Sequence, residues 1–355
     1  MSVARCETLP RDEDFAGTLY VSPPLTHTLL KLKTFLEQRG RAADEPYPAT
    51  LAIRVGPGEV HDLLGSLPGL LSRLELQDTR ALLIRGATPD APAGLSRVES
   101  LGSLIARAGA GWLVEMLAAN RLISHFQPVV PARAPGEVYG YEALIRGLAP
   151  DGELVGAGSI MALARAADLL YQVDGAARVA AVAGAARHRL AGALFVNFVP
   201  AAIYDPEYSL STTSFAIRSA GLKPGEVVFE VSGTEEAPDL PHLVKILAHL
   251  RSAGHKIALD DLGAGFSSLR LLRELEPDFI KLDVGLIRGV NKDPYRAAVA
   301  AKLLELARTL GVQSVAEGVS TKGEFDWVRE NGADLVQGFL FAEPAAPPLA
   351  PATPG

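Results

Sequence analysis

Eight short apolar runs recur after about residue 120, and seven of them end on a charged or amide residue. They are "HFQPVV", "GYEALIRG", "ALFVNF", "VVFEVS", "KIALDD", "DFIKLD", "QSVAEG" and "DLVQGF". Helical patterns separate most of them, at 163–187, 240–253 and 295–310. About eight strands alternating with helices over roughly 230 residues fit a closed (β/α)8 barrel, which typically needs ~250. The link between the first two runs, "PARAPGEV", has no room for a helix. Those two strands should therefore form an antiparallel hairpin within an otherwise parallel TIM-like barrel. A doubly wound open sheet would show the same alternation, but no Gly-rich phosphate fingerprint follows any of these strands.

The sequence before the barrel reads as a small α/β domain. "PPLTHTLLKLKTFLEQRG" is a helix entered through prolines and stopped by Gly40, with Leu25, Leu29, Leu32 and Phe35/Leu36 on one face. "EPYPAT" reads as a linker. "LAIRV", a helical stretch near 60–74 and "ALLIRG" suggest a βαβ unit, with a further helix near 95–120. The expected domains are 1–115, a small α/β regulatory or dimerisation domain; 118–346, the barrel; and 347–355, a disordered Pro/Ala-rich tail. No catalytic or ligand constellation precedes the barrel.

The polar ends of the runs carry the chemistry. Glu142, Asn197, Glu230, the pair Asp260-Asp261, Lys281 with Asp283, Glu317 and Gln337 all fall where barrel strands reach the C-terminal mouth, the place where barrel active sites are built. One buried carboxylate is ordinary as part of an ion pair. Six strands each placing an oxygen ligand at the same end are not packing, because that much uncompensated charge costs several kcal/mol per ion. A cation is required. Carboxylates and amides without histidine or cysteine suit hard divalent ions, Mg²⁺ or Mn²⁺. The five carboxylates could hold two ions, an arrangement that activates water and stabilises the leaving oxygen in phosphoester hydrolysis. Lys281 could deprotonate the water, orient it, or neutralise phosphate charge. Arg146, four residues past Glu142, is placed to grip a phosphate oxygen or to form a salt bridge across the rim.

Composition narrows the rest. The formal charge of −7 and the lack of a basic, aromatic-interleaved stretch argue against long nucleic acid. No apolar run approaches the ~18 residues of a membrane span. The lone Cys6 excludes an intrachain disulfide framework and a cysteine-rich zinc site, and the cytoplasm is the expected compartment.

From about Ile123 to Pro344 the chain resembles the EAL domain family of cyclic-di-GMP phosphodiesterases, which form linear pGpG. The motifs are "HFQPVV", "YEALIRG", "VNFVP", "FEVS", "ALDDLGAGFSSL", "FIKLD", "AEGV" and "QGFLFAEP", in the family's order. The resemblance implies that Glu142, Asn197, Glu230, Asp260 and Asp261 bind the metals. It also implies that Lys281 assists the nucleophilic water and that Glu317 belongs to the metal and water shell. Lys281, Glu317 and Asp261 form the expected catalytic set, and Gln127, Arg146, Gln337 and Asp283 the expected substrate contacts. Four positions depart from the family: Gly233 stands for a glutamate, Leu262 for an aromatic, Ala264 for a threonine and Ser320 for a glutamate. Phe266 also replaces a tyrosine, and Glu235 or Glu236 could take over the role missing at Gly233. The resemblance predicts an enzyme whose ligand is cyclic-di-GMP, while the globular composition of the first domain and its lack of chemistry of its own lead us to expect a homodimer and an opening to a protein partner through that domain. The departures support an alternative, a catalytically weak or inactive receptor or interaction module. Another two-metal phosphohydrolase on a barrel is a third reading.

Overall fold

A computed structural model of the chain describes residues 16–85, 98–232, 239–264 and 268–354. It divides into two compact units, Met1–Asn120 with Gly158–Gln172, and Arg121–Ala157 with Val173–Gly355.

The first unit is built on a five-stranded sheet ordered β2-β3-β1-β4-β5. Its strands are β1 (Gly17–Ser22), β2 (Ala43–Tyr47), β3 (Thr50–Val55), β4 (Arg80–Arg85) and β5 (Glu99–Ser100). β3 and β4 both pair antiparallel with β1, so the expected βαβ crossover exists with β1 inserted between its strands. "EPYPAT", read as a linker, instead spans the end of β2, the turn and the first residue of β3 in a hairpin turning at Ala49, whose φ is +56°. Helix Thr26–Gln38 buries Leu29, Leu32 and Leu36, whereas Leu25 precedes it and is exposed. The helix expected near 95–120 is two, Leu101–Ala108 and Gly111–Ala118, bent by 62°. No single helix among the described residues is long and apolar enough to cross a membrane.

The second unit is the barrel. β6 (Leu122–Pro131), β7 (Gly140–Leu148), β9 (Ala193–Asn197), β10 (Val227–Ser232), β11 (Lys256–Leu262), β12 (Phe279–Leu282), β13 (Gln313–Ala316) and β14 (Leu335–Val336) form the ring, and the short β8 (Leu154–Gly156) adds to β7. β6 is antiparallel to both its neighbours, β7 and β14, and every other neighbouring pair in the ring is parallel. The expected hairpin is therefore the point of closure.

Period-two alternation along the strands sorts residues into two cores. Phe126, Val196, Phe229, Leu259, Ile280 and Ala316 pack outward with residues such as Ile246, Leu304 and Phe325 of the surrounding helices. Val129, Phe195, Val228, Ala258, Phe279, Val315 and Leu335 pack together inside the ring. Among its described residues the Pro/Ala-rich tail has no helix or strand, yet Ala352 N–H donates to the Phe341 carbonyl at 2.8 Å, so it is not wholly detached.

Candidate active site

The inner apolar layer fixes what lies above it. Two residues further toward the mouth on each strand stand Gln127, Asn197, Glu230, Asp260, Lys281, Glu317 and Gln337, each sharing the inward face of its apolar partner. Glu142 faces Gln127 across the β6–β7 pair and completes the ring. The alternation that packs the barrel interior thus also delivers the polar ring.

Lys281, 1% exposed, occupies the centre. Its Nζ lies 2.7 Å from Glu317, 2.8 Å from Glu230, 3.2 Å from Glu142 and 3.6 Å from Asp260. Asn197 Nδ2 donates to Glu142 at 3.2 Å and to Glu230 at 3.0 Å. Gln337 Nε2 donates to Glu142 at 2.7 Å and to Gln127 at 3.0 Å, and Gln127 donates on to the Ala342 carbonyl. Glu142, Glu230, Gln127 and Gln337 are buried, while Asp260 and Glu317 keep 14% and 17% of their side chains accessible and mark the open end.

Consecutive strand residues normally face opposite sides, so an Asp-Asp pair cannot serve one site from a regular strand. Here the β11–β12 register breaks between Leu259 and Leu262, and Asp261 takes φ +57°. This bulge turns the second carboxylate toward the first. The Asp260 carboxylate accepts the Asp261 N–H at 2.8 Å, and Ser232 Oγ donates to Asp261 Oδ2 at 2.7 Å. Asp260, Asp261 and Glu317 each present an oxygen within 4.8 Å of the others.

The electrostatics favour a cation. Burial pushes Glu230 and Glu317 well above the usual carboxylate range, with neighbouring carboxylates adding to it and Lys281 opposing. Burial likewise raises Asp260 to about 6, again against the pull of Lys281. Glu142 is the exception: burial works against its charge, but the ion pair with Lys281 and the hydrogen bonds from Gln337 and Asn197 outweigh it and hold its pKa low. Burial disfavours charge on Lys281 as well, yet the four carboxylates raise its pKa well above that of a free lysine. Four carboxylates thus surround one ammonium, and a fifth, Asp261, lies beside two of them, Asp260 and Glu317. Glu230 Oε1 and Lys281 Nζ face each other without the alignment of a hydrogen bond, and Gln337 Oε1 is buried with no donor. Buried oxygens left with coordination to offer, in an all-oxygen set, fit a hard divalent ion.

The remaining candidates sit apart from this cluster. Asp283 accepts the Gly285 N–H at 2.8 Å and caps helix Val284–Ile287, so its carboxylate is engaged in a turn. Arg146 donates to the Ile145 carbonyl at 2.8 Å and has no ion pair among the described residues. Leu262 is buried, and Ala264 N–H donates to the Asp261 carbonyl at 3.1 Å. Ser320 donates to Glu324. Gly233, Glu235, Glu236 and Phe266 lie outside the described residues. Two residues with roles here were not picked out from sequence, Ser232 and Glu324. The second had a visible signal, Thr321-x-x-Glu324 at the start of a helix.

The sequence profile of the EAL domain matches residues 110–344. The chain belongs to the EAL domain family. It is 32% identical over 241 residues to "Cyclic di-GMP phosphodiesterase NbdA" of Pseudomonas aeruginosa, covering 65% of this chain and 30% of that protein. It is 31% identical over 229 residues to "Probable cyclic di-GMP phosphodiesterase PdeG" of Escherichia coli, covering 63% and 45%. This chain therefore spans less than half the length of these relatives. Among solved structures, a standalone versatile EAL protein from Vibrio cholerae in its c-di-GMP-bound form is similar at 37% identity and TM-score 0.58, covering 63% of this chain and 92% of that one. The PaMucR phosphodiesterase in complex with c-di-GMP is similar at 28% identity and TM-score 0.59, covering 66% and 95%.

Proposed function

We propose that this chain is a metal-dependent phosphodiesterase that hydrolyses cyclic-di-GMP to linear pGpG. The observation that carries the reading is the set of four carboxylates about one buried lysine at the barrel mouth, with a fifth, Asp261, beside Asp260 and Glu317. Glu142, Asn197, Glu230 and Asp260 would hold one Mg²⁺ or Mn²⁺, and Asp260, Asp261 and Glu317 a second. When bound, the ions supply Lewis acidity to the phosphate and to the attacking water. Lys281, held cationic by its neighbours, orients the water and offsets charge gathering on the phosphorus oxygens. Gln127 and Gln337 fix the Glu142 carboxylate from the side. Arg146, with its guanidinium not committed to a carboxylate, is suited to a substrate phosphate. Asp283 would contact substrate through Oδ2, the oxygen that does not accept the Gly285 N–H. Water adds across one P–O ester bond, leaving a 5′-phosphate and a free 3′-hydroxyl.

Chromatography of the product from purified protein with cyclic-di-GMP and Mn²⁺ tests this. Wild type should yield pGpG, and Glu142→Ala and Lys281→Ala should yield none. Tight binding of the dinucleotide by wild type without any pGpG would instead support the receptor reading prompted by Gly233, Leu262, Ala264 and Ser320. We assign the first unit a regulatory or dimerisation role, since among the described residues it holds no comparable carboxylate cluster. Its removal should change turnover or oligomeric state. The single cysteine suits a reducing compartment, and we place the protein in the cytoplasm.

A further inference from the structure

We propose that Glu324 is a positioning residue for the candidate metal site, its carboxylate clamping the loop that carries Glu317. The inference rests on the metal-dependent reading above. Glu324 lies on helix Lys322–Glu330 and is 4% exposed. A carboxylate that deep is tolerated only when its lone pairs are satisfied, and here four donors meet it. One oxygen accepts the Gly289 N–H at 2.8 Å. The other accepts the Ser320 N–H at 2.9 Å, the Ser320 hydroxyl at 3.0 Å and the Thr321 N–H at 2.9 Å.

Those donors come from two different mouth loops. Gly289 belongs to the connection after β12, the strand of Lys281, while Ser320 and Thr321 end the loop after β13, three and four residues past Glu317. Glu317 itself is tied to β12 through its N–H, which donates to the Leu282 carbonyl at 3.2 Å. Gly318 follows at φ +67°, and a Cβ there would fall 2.2 Å from Val284 Cγ2, so the loop turns directly against the β12 connection. Val319 bonds to the β14 side, donating to the Gln337 carbonyl at 3.0 Å and accepting from Leu340 N–H at 3.1 Å. The loop is therefore held at Val319 from one side and at Ser320–Thr321 by Glu324 from the other.

Helix capping alone does not explain this. The capping box needs only the Thr321 N–H and leaves the Gly289 and Ser320 contacts without a purpose. They make sense as a brace between the strands that deliver Lys281 and Glu317. Ser320, at a position where the family carries glutamate, is small enough for its N–H and hydroxyl both to reach the carboxylate supplied four residues later.

Calorimetric titration of the full-length protein with Mn²⁺, paired with thermal melting, tests the proposal. Loss of a partner that orients a metal ligand typically weakens metal affinity ~10–100-fold, and Glu324→Gln should weaken Mn²⁺ binding by about tenfold or more. Asn331→Ala is the control: Asn331 Nδ2 donates to the Trp327 carbonyl at the far end of the same helix, so its loss should lower Tm and leave Mn²⁺ affinity unchanged. Ser320→Ala, which deletes a single donor, should weaken binding a few-fold and replaces Glu324→Gln if that variant does not fold. Wild-type affinity in both Glu324→Gln and Ser320→Ala, or in Ser320→Ala alone where the first does not fold, would overturn the inference while leaving the functional reading intact. A wild type that binds no Mn²⁺ would overturn both.

Discussion

Replacing Lys281 with methionine should destabilise the metal-free protein strongly and the metal-loaded protein much less. The side chain is buried, and its ammonium lies 2.7 to 3.6 Å from four carboxylates. At about 4 Å and an effective dielectric near 20, each such pair is worth about 4 kcal/mol before desolvation is counted. Desolvation cancels much of that gross attraction, and removing one partner of a buried pair costs about 3–5 kcal/mol net. Proton uptake by the carboxylates relieves part of the loss, which places the expected cost near the lower end. For a unit of this size, about 2–4 °C of Tm per kcal/mol makes that a drop of roughly 6–12 °C. Divalent ions at the same carboxylates would supply the missing positive charge, so saturating Mn²⁺ should close most of the gap. Melting curves of wild type and Lys281→Met, each with chelator and with Mn²⁺, give the four values needed. A Tm loss below about 2 °C in chelator, or an equal loss with and without Mn²⁺, would refute the view that Lys281 is the counter-ion of the carboxylate cluster in chelator.

Other positions give independent checks. Arg178 and Asp174 form a fully buried ion pair, in which Asp174 also accepts the Val199 N–H just past Asn197 and Arg178 donates to Thr213. Arg178→Met should cost about 3–5 kcal/mol in urea denaturation, and a cost under 1 kcal/mol would show that the pair is dispensable. Gly338→Ala would bring a Cβ 2.0 Å from the Val319 carbonyl oxygen, a backbone atom that cannot swing away. Overpacking of this kind costs about 1–3 kcal/mol and should displace neighbouring Gln337, seen as lower stability together with weaker substrate affinity; an unchanged KM would contradict it. His255 is buried against Phe229, and burial lowers its pKa below 6.5, with the charge of His249 adding and a bond to the Pro224 carbonyl opposing. The unfolded chain therefore binds this proton at a higher pH than the folded one. Stability should be full above about pH 6.5 and fall as pH drops below it. His255→Gln should flatten that slope in denaturation at pH 7.5 and 5.5, and an unaltered slope would assign the effect elsewhere.

The barrel was legible because its strands are short, apolar and spaced by helices, and because one alternation writes two layers at once. In "VVFE" the residues two apart, Val228 and Glu230, are inner plug and site. The same holds for Phe279 and Lys281. The first hairpin was legible from a connection too short for a helix. In the first unit the βαβ crossover was legible but the sheet order was not, because β1 sits between β3 and β4 through pairings distant in sequence, which no local pattern records. "EPYPAT" carries two prolines and few apolar residues, so its strand is set by pairing with β3 on the sheet edge, where prolines are tolerated. In the site, the ring was visible residue by residue but its geometry was not. The Asp-Asp bulge depends on a positive φ at Asp261, and the turn in which Asp283 Oδ1 accepts the Gly285 N–H is likewise not written in the strand pattern. Glu324 was overlooked because a capping box announces a helix and not the two loops it joins.

Turnover of cyclic-di-GMP by protein first stripped with chelator and then titrated with Mn²⁺, with pGpG resolved by chromatography, decides whether the carboxylate cluster is a two-metal phosphodiesterase site. Stripped protein should form no product, and the rate should rise with added metal to saturation as two ions bind per chain. Product formation that persists in chelator, or none at any Mn²⁺ or Mg²⁺ concentration, would contradict that assignment.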